Sequence, residues 1–240
     1  MQQAQVIMLE LHYPLGERAQ VVHPVLAMDE KACVLMDCGY PGSLPLLQRT
    51  LQKRGVALSD VTHLILTHHD LDSAGCAGEL VQAYPHIQVL ATPQQEPFLR
   101  REKPSLRMQQ MQKVYRDAPQ EAAALQVVEK LFDAVQPVAV SRLIKDGDTF
   151  DVAGGLRIVG TPGHMPGHVS VYLPAYQALV AGDALEVRND VLTLPDEALT
   201  LDRQAALQSV RALAMLPLRA VLCYHGGAMA GCIDAMLQAL

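Results

Sequence analysis

Short apolar segments rich in β-branched residues alternate with segments of helical spacing in both halves of the chain. The clearest strand-like segments are THLILT (62–67), IQVLAT (87–92), LRIVGT (156–161) and VSVYLP (169–174). Between strands, apolar residues recur every three or four positions, as at Ala77, Leu80, Val81 and Tyr84. Strands that alternate with helices predict an α/β fold. The 240 residues suffice for one domain with an ordinary hydrophobic core.

Residues from about 95 to 140 differ from this pattern. The segment PSLRMQQMQKVYRDAPQEAAALQVVEKLFDAV (104–135) has helical spacing, long side chains and few β-branched residues. It predicts a helical insertion that covers the body of the domain. Met108, Met111 and Tyr115 either line an apolar cleft there or pack between the helices. After residue 140 the strand-like segments return, and a closing helix is expected from about residue 229.

Charge and composition exclude several classes of partner. The net charge of −6 is spread along the chain, without a lysine and arginine stripe, so a nucleic-acid partner is not expected. No apolar stretch approaches the roughly 18 residues of a membrane span, so no membrane partner is expected either. The start, MQQAQVIMLE, lacks the pattern of a secretory signal. Five cysteines without a CxxC pair favour reduced thiols in the cytoplasm.

Histidines and aspartates follow the ends of four strand-like segments. The contexts are LILTHHDLD (64–72), RIVGTPGH (157–164), ALVAGD (178–183) and AVLCYHGG (220–227). Because strand ends and the loops after them gather at one edge of an α/β sheet, these side chains are expected to meet. Histidine and carboxylate without cysteine suit an open Zn, Mn or Fe site.

Two other interpretations of these residues stay open at this point. Asp72 precedes a predicted helix, where an aspartate often serves only as an N-cap. Cys223 and His225 are close enough in sequence for a cysteine–histidine nucleophile, although a buried strand cysteine is the simpler explanation.

The polar segments resemble the motifs of the metallo-β-lactamase superfamily of metal-dependent hydrolases. THHDLDS (67–73) lies on the first motif of that family, T-H-x-H-x-D-H, and TPGHMPGH (161–168) is similar to TPGHTPGH. AGDAL (181–185), YHGG (224–227) and VLMDCG (34–39) match three further motifs. The resemblance implies an αββα sandwich, formed by residues 1–240 as a single domain with the helical insertion, and metals at one edge.

The resemblance also implies the metal ligands. His68, Asp70 and His164 would hold a first metal ion, with Asp183 shared between two ions. Asp72, Asp183 and His225 would hold a second. Ser73 stands where the family has another histidine, which weakens the second site. One or two zinc ions are expected, and Mn or Fe is possible.

Four other residues near the motifs receive expectations from the same resemblance. Asp37 would lie near the site. His69 occupies a variable position and would point away. His168 would support the loop that carries His164, as a hydrogen-bonding neighbour of the ligands. His23 could face the cleft.

The expected activity is hydrolysis of a small ester, lactone or thioester. A bound metal lowers the pKa of its water from 15.7 to about 7, which gives hydroxide at neutral pH. Asp72 would be the catalytic residue that orients this water or accepts its proton. Two alternatives stay open: an iron-dependent redox enzyme on the same fold, and a binding or sensor domain in which Ser73 marks weakened catalysis.

Overall fold

The computed structural model describes residues 4–15, 18–116 and 122–240. Two six-stranded sheets form the centre of this part of the chain. In chain order the strands are β1 (Gln5–Met8), β2 (Leu11–Leu15), β3 (Arg18–Val22), β4 (Val25–Met28), β5 (Cys33–Met36), β6 (His63–Ile65), β7 (Gln88–Ala91), β8 (Arg142–Leu143), β9 (Thr149–Phe150), β10 (Leu156–Gly160), β11 (Val169–Leu173), β12 (Ala178–Gly182), β13 (Glu186–Arg188), β14 (Val191–Thr193), β15 (Ala220–Cys223) and β16 (Gly227–Ala230). The α-helices are α1 (Leu44–Gln52), α2 (Leu71–Ala74), α3 (Ala77–Ala83), α4 (Glu96–Leu99), α5 (Leu106–Arg116), α6 (Ala122–Ala134), α7 (Arg203–Leu213) and α8 (Ile233–Gln238).

Each half of the chain builds one sheet. The first sheet has the order β1-β4-β5-β6-β7-β8, and the second has the order β16-β15-β12-β11-β10-β9. Strands β5 to β8 pair in parallel, and β12 pairs in parallel with β15. The hairpins β2–β3 and β13–β14 lie outside both sheets.

The alternation of side chains along the strands separates the layers. In β4, Val25 and Ala27 belong to the core between the sheets, whereas Leu26 belongs to the core under the outer helices. Both faces of the strand are therefore buried, as expected of a sheet covered on both sides. The core between the sheets also includes Ile158 and Val171 from the second sheet.

Helices cover the outer face of each sheet. Leu47 of α1 and Leu80 of α3 share a core with the first sheet, and Val210 of α7 and Ile233 of α8 share one with the second. The layers are thus helix, sheet, sheet and helix, which confirms the predicted αββα sandwich of the α/β class.

The segment between β7 and β8 carries the predicted helices. It contains α4, α5 and α6, and α5 packs beside α6. Met111 lines a cleft at the site described below, whereas Met108 does not. The side chain of Tyr115 lies outside the described residues. Across the described ranges, no helix has both the length and the apolar character that a membrane crossing requires.

The closing helix begins later than the sequence predicts. The expected start at about residue 229 is wrong, because Gly227–Ala230 forms strand β16 and the helix begins at Ile233. Gly227 and Gly231 have φ angles of +95° and +121°, which are incompatible with a right-handed helix. The chain instead turns after β15 and pairs with it as an antiparallel hairpin.

Candidate metal centre

Strand ends from both sheets bring six donor side chains to one edge of the sandwich. His68, Asp70 and Asp72 follow β6 of the first sheet. The second sheet contributes the remaining donors after β10, β12 and β15: His164, Asp183 and His225. These are the six residues that the sequence predicts as metal ligands.

The first group consists of His68, Asp70 and His164, all of which are buried. Asp70 Oδ2 lies 3.6 Å from His68 Nε2 and 3.1 Å from His164 Nε2. The second group consists of Asp72, Asp183 and His225. Its His225 Nε2 lies 3.0 Å from Asp72 Oδ2. Within each group, all the donor atoms lie within 4.8 Å of one another.

Asp183 lies between the two groups. Its Oδ2 is 3.5 Å from His68 Nε2, 3.4 Å from His164 Nε2 and 3.5 Å from His225 Nε2. One carboxylate oxygen therefore faces three imidazole nitrogens, two from the first group and one from its own. Asp183 is therefore the carboxylate that connects the two groups.

Asp72 has a contact that the capping interpretation does not predict. It lies in the first turn of α2, and the residue at the N-cap position is Asp70. The helix that follows, α3, has Cys76 at its N-cap. The carboxylate of Asp72 instead contacts His225, and its side chain is 16% exposed, so it lies at the open side of the site.

A chain of hydrogen bonds fixes the orientation of His68. The Thr67 hydroxyl donates to Asp37 Oδ2 at 2.7 Å, and the Thr67 backbone N–H donates to Asp37 Oδ1 at 2.9 Å. Because the hydroxyl hydrogen is used, Thr67 Oγ1 accepts from His68 Nδ1 at 2.9 Å. The proton of the neutral ring is thereby held at Nδ1, which leaves the lone pair of Nε2 toward the site. Asp37 thus lies beside the donors, as the resemblance implies.

A second chain of hydrogen bonds supports Asp183. Its backbone N–H donates to His168 Nε2 at 3.0 Å, so the ring of His168 carries its proton on Nδ1 and donates it to Thr161 Oγ1 at 2.8 Å. Thr161 and Ser170 continue the chain to the carbonyl of Ala181. Burial, helped by the neighbouring His68 and His164, holds the pKa of His168 well below its ordinary value. The ring is therefore a neutral acceptor.

Gly182 allows these two chains to approach each other. Its φ is +55°, and a Cβ built at this position would lie 2.8 Å from His168 Nε2 and 3.0 Å from Thr67 Oγ1. A side chain would therefore push against both supporting residues at once. The glycine before Asp183 is required by this close approach.

Burial and opposite charges act against each other on the donors. Burial alone would lower the pKa of His68, but the carboxylates of Asp70 and Asp183 outweigh it and raise that pKa to about 9. The pKa of His225 is raised well above its ordinary value, because Asp183 and Asp72 outweigh the effect of burial. Burial would raise the pKa of Asp183, but His225, His164 and His68 hold it below its usual range. The site concentrates negative charge that favours cations.

Several buried donor atoms at the site have no hydrogen-bond partner within residues 4–15, 18–116 and 122–240. They are His68 Nε2, Asp70 Oδ1, Ser73 Oγ, His164 Nδ1 and Asp183 Oδ1. Leaving such atoms unpaired is costly, so those that face the other donors, above all His68 Nε2, indicate a bound group. Imidazole nitrogens and carboxylate oxygens without thiolates fit a zinc, manganese or iron ion.

Other residues considered in the sequence lie apart from the donors. His69 turns away, stacks on Phe98 and bonds to Gln95. His23 lies over the Tyr224 carbonyl at 3.1 Å and belongs to neither donor group. Cys223 is buried in the core under α7 and α8, and burial raises the pKa of its thiol, so a Cys223–His225 nucleophile is not formed.

Arg107 reaches the site from the insertion, which the sequence analysis does not predict. This residue of α5 is 6% exposed, and its Nη2 donates to Asp70 Oδ2 at 2.8 Å and to His164 Nε2 at 2.9 Å. No local pattern around SLRMQQ distinguishes Arg107 from an ordinary helical arginine. The contact depends on how the insertion folds back over the first group.

A cleft of about 370 Å³ opens next to the donors. Its polar wall contains donors of both groups, and its apolar wall includes Met111, Leu131, Phe132 and Leu199. Arg107 is the one lysine or arginine among the described residues that line it. The cleft thus combines a mainly apolar lining with a few donor side chains, as is typical of a site for a small molecule.

Comparison with known proteins agrees with this geometry. The sequence model of the Metallo-beta-lactamase superfamily matches residues 21–237. The probable metallo-hydrolase YflN of Bacillus subtilis (strain 168) is 26% identical over 226 residues, which cover 89% of this chain and 82% of that one. A hydroxyacylglutathione hydrolase of Yersinia pestis (strain Pestoides F) is 26% identical over 162 residues, or 67% of this chain and 45% of that one. The crystal structure of a metallo-beta-lactamase family protein from Thermus thermophilus superimposes with a TM-score of 0.76 and 26% identity, covering 98% of this chain and 77% of that one. The chain belongs to the metallo-β-lactamase superfamily.

Proposed function

We propose that this protein is a metal-dependent hydrolase of a small ester, lactone or thioester. The strongest support is Asp183, whose Oδ2 lies 3.4 to 3.5 Å from three histidine nitrogens and joins the two donor groups. His68, Asp70, His164 and Asp183 would hold a first ion, and Asp72, Asp183 and His225 a second. Zinc suits these nitrogen and oxygen donors, and Mn or Fe is compatible with them.

The chain itself supplies positioning and a proton acceptor. A divalent ion held by these donors would supply Lewis-acid chemistry and make hydroxide available near neutral pH. Asp72 lies at the open side of the site, where its carboxylate would orient the attacking water molecule or accept a proton from it. The two hydrogen-bond chains through Thr67 and His168 keep His68 and Asp183 in place during turnover.

The cleft favours a small substrate with an apolar part. Its volume of about 370 Å³ accommodates a small molecule, and Met111, Leu131 and Phe132 offer apolar contacts beside the donors. The similarity to a hydroxyacylglutathione hydrolase supports an acyl substrate, and the matched region covers 67% of this chain and 45% of that protein. We expect neither nucleic acid nor a membrane as a partner. The buried free thiols of Cys33, Cys38, Cys76 and Cys223 support a cytoplasmic location.

A second candidate is an iron-dependent redox enzyme on the same fold. The first donor group contains two histidines and one carboxylate, which is the ligand set of many non-haem iron oxygenases. Such an enzyme would carry iron and consume oxygen, whereas the hydrolase would do neither with zinc. Iron together with oxygen consumption therefore separates the redox candidate from the hydrolase.

The test combines metal analysis with activity. Protein purified without chelator is analysed for elements per chain and assayed on short-chain lactones, esters and thioesters. Chelation should abolish hydrolysis, and returning the metal should restore it. Iron together with oxygen consumption would favour the redox candidate. A fully loaded protein without turnover on any of these substrates would favour a binding or sensor domain.

A substitution of Asp72 tests its proposed role. Asp72→Asn should lower turnover by about 100-fold or more, since general-base catalysis contributes that much. The matched control is Asp151→Asn, at an exposed aspartate that pairs with Lys31 far from the donors. Equal loss in both variants would exclude Asp72 as the proton acceptor.

A further inference from the structure

The buried guanidinium of Arg107 forms hydrogen bonds with two residues of the first donor group. Its Nε and Nη2 both donate to Asp70 Oδ2, at 2.9 and 2.8 Å, and Nη2 also donates to His164 Nε2 at 2.9 Å. Only 6% of Arg107 is exposed. A charged group buried to this degree depends on these partners.

The contact with His164 determines what else that nitrogen can do. Arginine has donors and no acceptor, so in this contact His164 Nε2 accepts from Arg107. The same nitrogen lies 3.1 Å from Asp70 Oδ2, to which it would donate only in the tautomer that carries its proton on Nε2, and the contact with Arg107 selects the other tautomer. A neutral imidazole nitrogen offers one lone pair, and a metal ion uses the same lone pair. His164 Nε2 therefore binds either the N–H of Arg107 or an ion, and never both together.

Charge adds to this exclusion. The guanidinium of Arg107 carries a positive charge. Arg107 and a divalent ion at the first group would be two cations close to the same carboxylate oxygen, Asp70 Oδ2, where they repel each other. The hydrogen bond to His164 and the positive charge of Arg107 both oppose binding of an ion to the first donor group while Arg107 is in place.

We propose that Arg107 competes with the first metal ion for Asp70 and His164, so that metal entry displaces the arginine from the donors. The inference rests on the proposed function, because it requires that the first group binds metal. Arg107 then sets how tightly the first ion is held.

Displacement of Arg107 from the donors would also change the contacts of helix α5. Arg107 also donates to Gln110, and Gln110 Nε2 donates to the carbonyl of Ala198 at 2.8 Å. At the start of the helix, the backbone N–H of Leu106 donates to His69 Nε2 at 3.4 Å. Arg107 and Gln110 together connect α5 to both halves of the site. Release of Arg107 removes one of these connections and loosens α5 over the cleft.

The second donor group has no such competitor. Within the described residues, the carboxylates of Asp72 and Asp183 form ion pairs only with histidines. The two ions should therefore respond differently to substitution of Arg107. This difference distinguishes competition at the first group from a general change of charge.

The test measures zinc affinity and needs no substrate. Wild type, Arg107→Ala and Arg107→Gln are titrated with Zn²⁺ against a chromogenic chelator, each also in a His225→Ala background that removes a donor from the second group. Arg100→Ala is the matched control, because it removes one positive charge from an exposed arginine that pairs with Glu96 and Glu102. Far-UV circular dichroism checks that each variant is folded. If Arg107→Ala does not fold, the comparison uses Arg107→Gln.

Competition predicts that loss of Arg107 tightens first-site zinc binding by about 10- to 100-fold, as expected for removal of hydrogen bonds to a charged group. Arg100→Ala should change that affinity by less than about threefold. Equal affinities in the Arg107 and Arg100 variants would overturn the inference, and so would weaker binding without Arg107. If neither wild type nor the Arg107 variants bind zinc, manganese or iron, the proposed function itself fails.

Discussion

The hydroxyl of Thr67 accepts from His68 Nδ1 at 2.9 Å while it donates to the carboxylate of Asp37. The direction of the first bond follows from the second, since a hydroxyl has one hydrogen to give. His68 is thereby held in the tautomer whose Nε2 lone pair faces the other donors. Among the described residues, Thr67 is the hydrogen-bond partner that links the buried carboxylate of Asp37 to the candidate metal centre.

Thr67→Val removes the hydroxyl while keeping the shape of the side chain. We expect metal affinity at the first group to fall by about 10- to 100-fold, the usual cost of losing a group that orients a ligand. A chelator competition titration measures it. Thr62→Val is a matched control, because Thr62 Oγ1 contacts His63 Nδ1 at 2.8 Å in the same way but away from the donors. A similar loss in both variants would contradict the role of Thr67.

His164→Ala tests the first donor group directly. His164 lies with His68 and Asp70, and no other histidine follows β10 before the supporting His168, so we expect most of the first ion to be lost. Elemental analysis after dialysis gives the ions per chain. His86→Ala is the control, since His86 is exposed and contacts the carbonyls of Ser59 and Val61. Equal metal content in the two variants would exclude His164 as a ligand.

Gly182→Ala should destabilise the fold through two separate effects. Alanine at a φ of +55° is strained, and its Cβ would lie 2.8 Å from His168 Nε2. Gly55→Ala introduces the same kind of strain at a φ of +74°, where no atom lies within 4 Å of the added carbon. We expect Gly182→Ala to lower the free energy of unfolding by about 1–3 kcal/mol more than Gly55→Ala, measured by urea titration. Equal losses would mean that the close approach is unimportant.

Metal affinity at the first group should rise with pH up to about pH 9. The pKa of His68 is raised from 6.5 to about 9, so the ring is protonated below pH 9 in the absence of metal. A proton on Nε2 blocks ligation, and binding must release it. Affinity should therefore increase by about tenfold per pH unit between pH 7 and 9 and level off above that range.

The same pKa predicts the opposite trend for stability without metal. A raised pKa in the folded protein stabilises it fully below pH 6.5, and this contribution disappears as the pH rises through about 9.

For the pH dependence of metal affinity, calorimetry in weakly buffered solution would count the protons that zinc binding releases. An affinity that stays constant from pH 7 to 9 would show that His68 is already deprotonated.

The six donors were predictable because each follows a short strand, and strand ends converge by the geometry of the fold. The α/β class was predictable from strands that alternate with helices, whereas the four αββα layers were implied by the resemblance of the motifs to the metallo-β-lactamase superfamily. Arg107 was not, because its contact with Asp70 joins residues 37 positions apart through an insertion whose path no local pattern specifies. The late start of α8 could have been inferred from the glycines at positions 227 and 231, because glycine disfavours a helix, and the structure places both at positive φ.

Donors from both sheets have a mechanical consequence. His68, Asp70 and Asp72 belong to the half of the chain that builds the first sheet, and the other donors belong to the half that builds the second. Neither sheet alone supplies a complete set of ligands. A bound ion would therefore cross-link the two sheets at one edge of the sandwich. The free energy of metal binding would then stabilise the association of the two halves of the fold. Removal of the metal should increase local opening at that edge, which would be measured as faster amide hydrogen exchange there. Exchange at the opposite edge should stay unchanged.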